Sequence, residues 1–112
     1  MAAPGRLKRR ADFLCAAAKG RKAVMPGLVL QALPREDQGP VRLGFTVTRK
    51  IGNAVTRNRT RRRLKEAARL VLAGSEVTGF DLVLIGREAT RRRRFADLQE
   101  DVRRALAKAG AR

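Results

Sequence analysis

Arg57, Arg59, Arg61, Arg62, Arg63, Lys65 and Arg69 fall within one stretch of thirteen residues that holds a single acid, Glu66. The chemistry open to such a stretch is oxyanion recognition. A guanidinium is planar, stays charged and can grip a phosphate through two parallel N–H bonds. The remaining residue types narrow the choice. The chain has no His, Trp or Tyr, and Cys15 is its one cysteine. Without imidazole and with one thiol, neither a usual zinc site nor a Ser-His or Cys-His nucleophile can be assembled within the chain. The carboxylates are scattered among guanidinium groups. No catalytic residue, no metal site and no protein-bound cofactor are expected, and neither is a self-contained enzyme.

The whole composition points the same way. There are 112 residues, 27 basic and 10 acidic, with a formal net charge of +17; Arg supplies 21 of the bases. The pI is about 11.9. A chain this cationic repels itself unless it meets a polyanion. Hydrophobic residues make up 44%, enough for one small core and too many for a basic disordered tail. We therefore expect one domain over 1–112, with its core at about 6–107 and short flexible termini. No apolar run approaches the roughly 18 residues of a membrane span, and no apolar segment of a secretory signal follows Arg6. With a single cysteine, a reducing, cytoplasmic setting is expected.

The elements that must position the cations are legible in the pattern. Residues 11–19 are rich in helix formers and stop at Gly20. Residues 28–33 form a short apolar run. In 41–48, Val41, Leu43, Phe45 and Val47 alternate with Arg42, Gly44, Thr46 and Thr48, which predicts a half-buried strand. The two runs, joined by the turn residues of 34–40, predict an antiparallel hairpin. A further strand is possible near 22–27. Residues 80–85 form a more apolar and hence central strand. Phe95, Leu98, Val102, Leu106 and Ala109 recur at helical spacing. At about 100° per residue, 53–73 becomes a helix with Thr60, Ala67, Ala68, Val71 and Leu72 on the side of Leu64. Arg59, Arg62, Arg63, Lys65 and Arg69 fall opposite. Asn53 or Thr56 is positioned to cap it, and Gly52-Asn53 suits a tight entry whose free N–H groups favour phosphate. The order α-β-β-β-α-β-α predicts an α+β sandwich, a small sheet with helices packed on it.

The run from Thr46 through Arg49, Lys50, Ile51, Gly52, Asn53, Ala54, Val55 and Thr56 to Arg57-Asn58-Arg59, followed by Arg61-Arg62 and Lys65, resembles the signature of the bacterial ribonuclease P protein family. Arg6-Leu7-Lys8 with Asp12-Phe13 resembles the family's first helix, and 80–85 its last strand. The resemblance covers about 6–107. It implies a small mixed sheet with an unusual left-handed βαβ crossover, as in one domain of a small-subunit ribosomal protein. It implies an accessory subunit of the endoribonuclease that removes the 5′ leader from precursor tRNA. In that enzyme an RNA subunit carries the chemistry with Mg²⁺ bound at its own active site. It further implies RNA binding by Arg49, Lys50, Asn53, Arg57, Asn58, Arg59, Arg61, Arg62, Lys65 and Arg69, and leader binding by Phe13. The partners implied are the catalytic RNA and precursor tRNA, with no membrane and no obligate protein partner.

Three positions depart from the family pattern. Thr60 stands where an aliphatic residue is usual, and Ala17 and Gln31 stand where aromatics are common. The leader groove is therefore expected to rely more on charge and less on stacking, which is worth about 1–3 kcal/mol per base. Phe13 serves equally well as a core residue. Arg91–Arg94 is a further cationic run, either a solvated loop or an RNA contact. Cys15 reads as a small apolar residue. Asp12 reads as a helix cap, Asp81 as a strand end, and the acids of 97–101 as a solvated helix face. Two other classes share parts of the pattern. An architectural RNA-binding protein has the basic face but no need of the run from Lys50 to Lys65. A membrane-surface protein would need large apolar residues among the cations.

Overall fold

The computed structural model describes residues 4–111. Met1–Ala3 and Arg112, the outer ends of the expected domain, lie outside the described residues. Five strands form one mixed sheet. They are β1 (Gly5–Arg6), β2 (Arg21–Val24), β3 (Leu28–Pro34), β4 (Arg42–Thr46) and β5 (Phe80–Gly86), in the spatial order β1-β4-β5-β3-β2. Three helices pack on it: α1 (Arg10–Lys19), α2 (Ala54–Ala73) and α3 (Phe95–Lys108). The α+β sandwich and its three helices are as expected from the pattern, with the two-residue β1 added at the sheet edge.

Strand alternation sorts the side chains into two layers. Leu28, Leu30 and Ala32 of β3 and Leu82 and Leu84 of β5 face α2 and α3, where they meet Leu64, Ala67, Ala68, Leu98, Val102 and Ala105 in the main core. Leu33, Val83 and Ile85 face the other way, onto Phe13 and Ala16 of α1 and onto Leu7. The core runs on to the C-terminal end, where Ala109 and Ala111 are buried.

The hairpin expected between 28–33 and 41–48 does not form. The hairpin is β2–β3, antiparallel from Arg21 opposite Ala32 to Val24 opposite Val29. β5 lies between β3 and β4, antiparallel to the first and parallel to the second. The physical reason is coverage. β5 is the most apolar strand and needs neighbours on both edges and helices on both faces. The chain from β3 to β4 must then cross the start of β5, and it is fastened there by Arg35 N–H to the Gly79 carbonyl (2.7 Å) and Gly79 N–H to the Gly39 carbonyl (2.8 Å). The parallel pair β4–β5 is bridged by α2, so the basic helix is the crossover itself.

Candidate nucleic-acid interface

Entry into α2 is built locally. Thr48 leads into a 3-10 turn over Arg49–Ile51, closed by Ile51 N–H to the Thr48 carbonyl (3.1 Å). Gly52 follows at φ 149, a conformation L side chains rarely adopt; an added Cβ would also lie 3.0 Å from Thr56 Cγ2. Asn53 is the N-cap, its Oδ1 accepting from Thr56 N–H at 2.9 Å. Its side chain is thereby committed to the fold, and Thr56 is the capped residue. The terminus projects Arg49 and Lys50 into solvent ahead of the helix.

Within α2 the apolar face is as the wheel predicts: Thr60, Leu64, Ala67, Ala68, Val71 and Leu72 are buried. Thr60 is accommodated by turning its hydroxyl to the Thr56 carbonyl at 2.9 Å. The cationic side resolves into two rows at i,i+4 spacing. Arg61, Lys65 and Arg69 edge a groove of about 410 Å³ that also takes in Arg6, Leu7, Phe13, Leu43 and Phe45. Arg59 and Arg63 edge a smaller cleft on the other flank, with Arg91 and Arg92. Arg62 is exposed on the crest between them.

Side chains differ in how free they are. Among the described residues Arg49, Lys50, Arg57, Arg59, Arg61, Arg62 and Lys65 form no salt bridge. Arg61 donates to Asn58 Oδ1 at 3.1 Å. Arg57 is half-buried, and its Nε is buried without a hydrogen-bond partner. Arg69 is paired with Glu66; the Arg69 guanidinium holds the Glu66 carboxyl below its ordinary range. Arg63 is turned inward, donating to the carbonyls of Arg91 and Arg93.

Phe13 is both a packing and a groove residue. It is half-buried, and Gly44 gives its ring room to lie on β4: a Cβ at Gly44 would sit 2.6 Å from Phe13 Cε1. Phe45 packs on the main core, as its alternation implies, and its exposed part also lines the groove, because β1 pairs only with Arg42 and Leu43 and leaves the strand beyond uncovered. The signal available was the absence of a second long edge strand. Ala17 is exposed and Gln31 half-buried, so neither position adds an aromatic. A larger cavity of about 660 Å³ adjoins the groove at Pro4 and Arg69 and is lined mostly by apolar groups from 38–41 and 72–78.

Three acids have roles other than those read from their spacing. Asp81 is buried, accepting from Arg35 Nη1 at 2.9 Å and from Arg42 Nε and Nη2 at 2.8 and 2.6 Å. Burial opposes its ionisation, but the two arginines outweigh it and keep the carboxyl below its usual range. Asp12 caps nothing and lies 3.9 Å from Arg42. Asp101, expected on a solvated face, is buried; it pairs with Arg93 and accepts from Gly27 N–H at 3.0 Å. Cys15 is half-buried. Among the described residues no group of three His, Cys, Asp or Glu could hold a metal ion, and no helix is long and apolar enough to cross a membrane.

A cationic crossover helix thus stands beside a groove that holds Phe13 and Phe45, and comparison with known proteins places the chain in a family. Residues 1–110 match the family model described as Ribonuclease P. The chain belongs to the ribonuclease P protein family. It is similar to the ribonuclease P protein component of Gluconacetobacter diazotrophicus, 63% identical over 107 residues that span 96% of this chain and 92% of that one. Its fold is similar to that of a Staphylococcus aureus RNase P protein mutant with defective mRNA degradation activity (TM-score 0.81, 27% identity, 96% of this chain and 89% of that one). It is also similar to the RNase P protein of Thermotoga maritima (TM-score 0.70, 30% identity, 92% and 94%). Membership makes the chain the accessory protein of an endoribonuclease of tRNA 5′ maturation, working with the ribonuclease P RNA.

Proposed function

We propose that the two surfaces divide the labour of the holoenzyme. Arg49, Lys50, Arg57, Arg59, Arg62 and the exposed end of Asn58 meet phosphates of the catalytic RNA. The groove edged by Arg61, Lys65 and Arg69 and floored by Phe13 and Phe45 takes the single-stranded 5′ leader of precursor tRNA. Phosphates of the leader meet the cations while a base stacks on an aromatic ring, the usual way proteins hold single strands. The protein's cations offset RNA–RNA repulsion and so favour Mg²⁺ at the RNA's active site, and cleavage is carried out by the RNA in the cytoplasm. The observation that carries this reading is that the cationic row Arg61, Lys65 and Arg69, in which only Arg69 has an acidic partner among the described residues, and the half-buried Phe13 and Phe45 line one groove.

The test is binding by holoenzyme reconstituted with its cognate RNA. Precursor tRNA with a leader should bind more tightly than mature tRNA. The difference should shrink in Phe13→Ala and in an Arg61→Ala/Lys65→Ala pair. Equal affinity for the two substrates in the unsubstituted holoenzyme would remove the leader assignment.

A further inference from the structure

The cleft on the opposite flank of α2 has an internal frame. The turn that follows β5, residues 87–94, is pinned at three points. Thr90 is fully buried, accepting from Arg87 N–H at 2.7 Å and donating to the Gly27 carbonyl at 2.6 Å. Arg93 reaches down to the buried Asp101, which also holds Gly27 N–H. Arg63 of α2 donates to the carbonyl of Arg91 at 2.6 Å and to that of Arg93, so the guanidinium is a strut between helix and turn. Two of the arginines in this region are therefore consumed by the fold.

What the struts hold up is a second set of cations. Arg59, Arg91 and Arg92 line a cleft of about 260 Å³ with Thr56 and Thr60. All three arginines are exposed. Arg59 and Arg92 have no ion pair among the described residues, and Arg91 meets only the exposed Glu88, at 3.5 Å. Contacts between exposed charges at that distance are weak and are displaced by a better anion. Like charges gathered on a rigid frame with a single weakly held counter-charge cost the fold free energy that an external polyanion recovers.

We infer that Arg91 and Arg92, held beside Arg59 by the Arg63 and Arg93 struts, form a second phosphate-binding rim for the backbone of the catalytic RNA. This rests on the reading that α2 binds that RNA, and it extends the contact across the crest at Arg62 to the flank away from the leader groove. Helix α2 then sits as a ridge within the RNA, with leader on one side and catalytic RNA on the crest and the other. The site reads charge and rigid spacing, with no aromatic to stack a base, so backbone is its ligand and base sequence is not recognised there.

The experiment is a salt titration of binding to the cognate catalytic RNA by the full-length chain. Comparison is made among the unsubstituted protein, Arg91→Ala/Arg92→Ala and Arg91→Lys/Arg92→Lys. Each phosphate contact contributes about 0.9 to the slope of log affinity against log salt on duplex. The alanine pair should lower the slope by about 2, and the lysine pair should restore most of it. Neither pair should change the melting temperature or the ratio of precursor to mature tRNA affinity in the holoenzyme. An alanine pair that binds with the unsubstituted slope and affinity overturns the rim while leaving the α2 reading intact. So does an alanine pair that loses only the precursor preference. An unsubstituted protein with no salt-dependent binding to the RNA overturns both.

Discussion

Asp81 fastens the start of the central strand β5 to Arg42 of β4 and to Arg35 of the chain that crosses from β3 to β4. Two arginines converge on one buried carboxylate, and Arg35 also spans to the Phe80 and Pro40 carbonyls at 3.0 and 2.8 Å. Because the folded carboxyl titrates below the ordinary Asp value of 3.8, its contribution is fully present above that value and is lost as pH falls through the lower, folded one. Asp81→Asn should therefore cost roughly 3 kcal/mol at neutral pH, the low end for breaking a buried pair because Arg42 keeps contact with water. It should also flatten the loss of stability below about pH 4. Urea midpoints measured from pH 7 downward check both; an unchanged acid limb would mean that other carboxylates carry it. A second residue-scale prediction follows from Gly44. Gly44→Ala places a methyl where the Phe13 ring lies, costing about 1–3 kcal/mol as overpacking. It should weaken leader discrimination while leaving affinity for the catalytic RNA alone unchanged. A variant that loses both equally would show the ring to be core only. Neither role was legible in the sequence. Arg35 and Asp81 are 46 residues apart, and a strand-end Asp looks the same whether or not a distant guanidinium arrives.

At the scale of elements, legibility follows the range of the forces. Helix α2 is set by i,i+4 periodicity and by an Asn53 cap three residues from the N–H it serves, all inside one window of sequence, so its span and its buried face were readable. The pairing of β3 with β5 in place of β4 depends on which strand gains most from two neighbours, a comparison across the whole chain. The split of the basic face into a groove row and a strut row likewise depends on what packs to either side of the helix. That split carries a prediction. Arg57 has an unpartnered buried Nε, and Arg59 forms no ion pair. Arg57→Ala and Arg59→Ala should each weaken binding to the catalytic RNA with melting temperatures close to the unsubstituted protein. Arg63→Ala, which leaves two carbonyls without donors, should lower the melting temperature. Thermal melts beside filter binding separate the two classes, and large destabilisation in both Arg57→Ala and Arg59→Ala would make them structural.

At the scale of the molecule the net charge of +17 is the dominant fact. With about six phosphate contacts, affinity for the catalytic RNA should fall on the order of 10³-fold between about 50 and 200 mM salt, and a flat response would count against an electrostatic face. The same charge bears on the chemistry. There is no imidazole to act as a general base near neutral pH. The buried carboxylates, Asp81 and Asp101, are each engaged by arginine. A dense field of fixed cations, in contrast, lowers the cost of bringing a precursor's phosphates close to those of the catalytic RNA, a cost that Mg²⁺ otherwise screens. The RNA-free protein should not cleave precursor tRNA. The cognate RNA alone should cleave precursor at high Mg²⁺, and added protein should shift the Mg²⁺ midpoint of cleavage downward. The measurement is precursor cleavage across a Mg²⁺ series with RNA alone, protein alone and both. Specific cleavage by RNA-free protein that disappears on substitution of a carboxylate would overturn the assignment of chemistry to the RNA. A holoenzyme whose Mg²⁺ midpoint equals that of the RNA alone would overturn the electrostatic role of the protein.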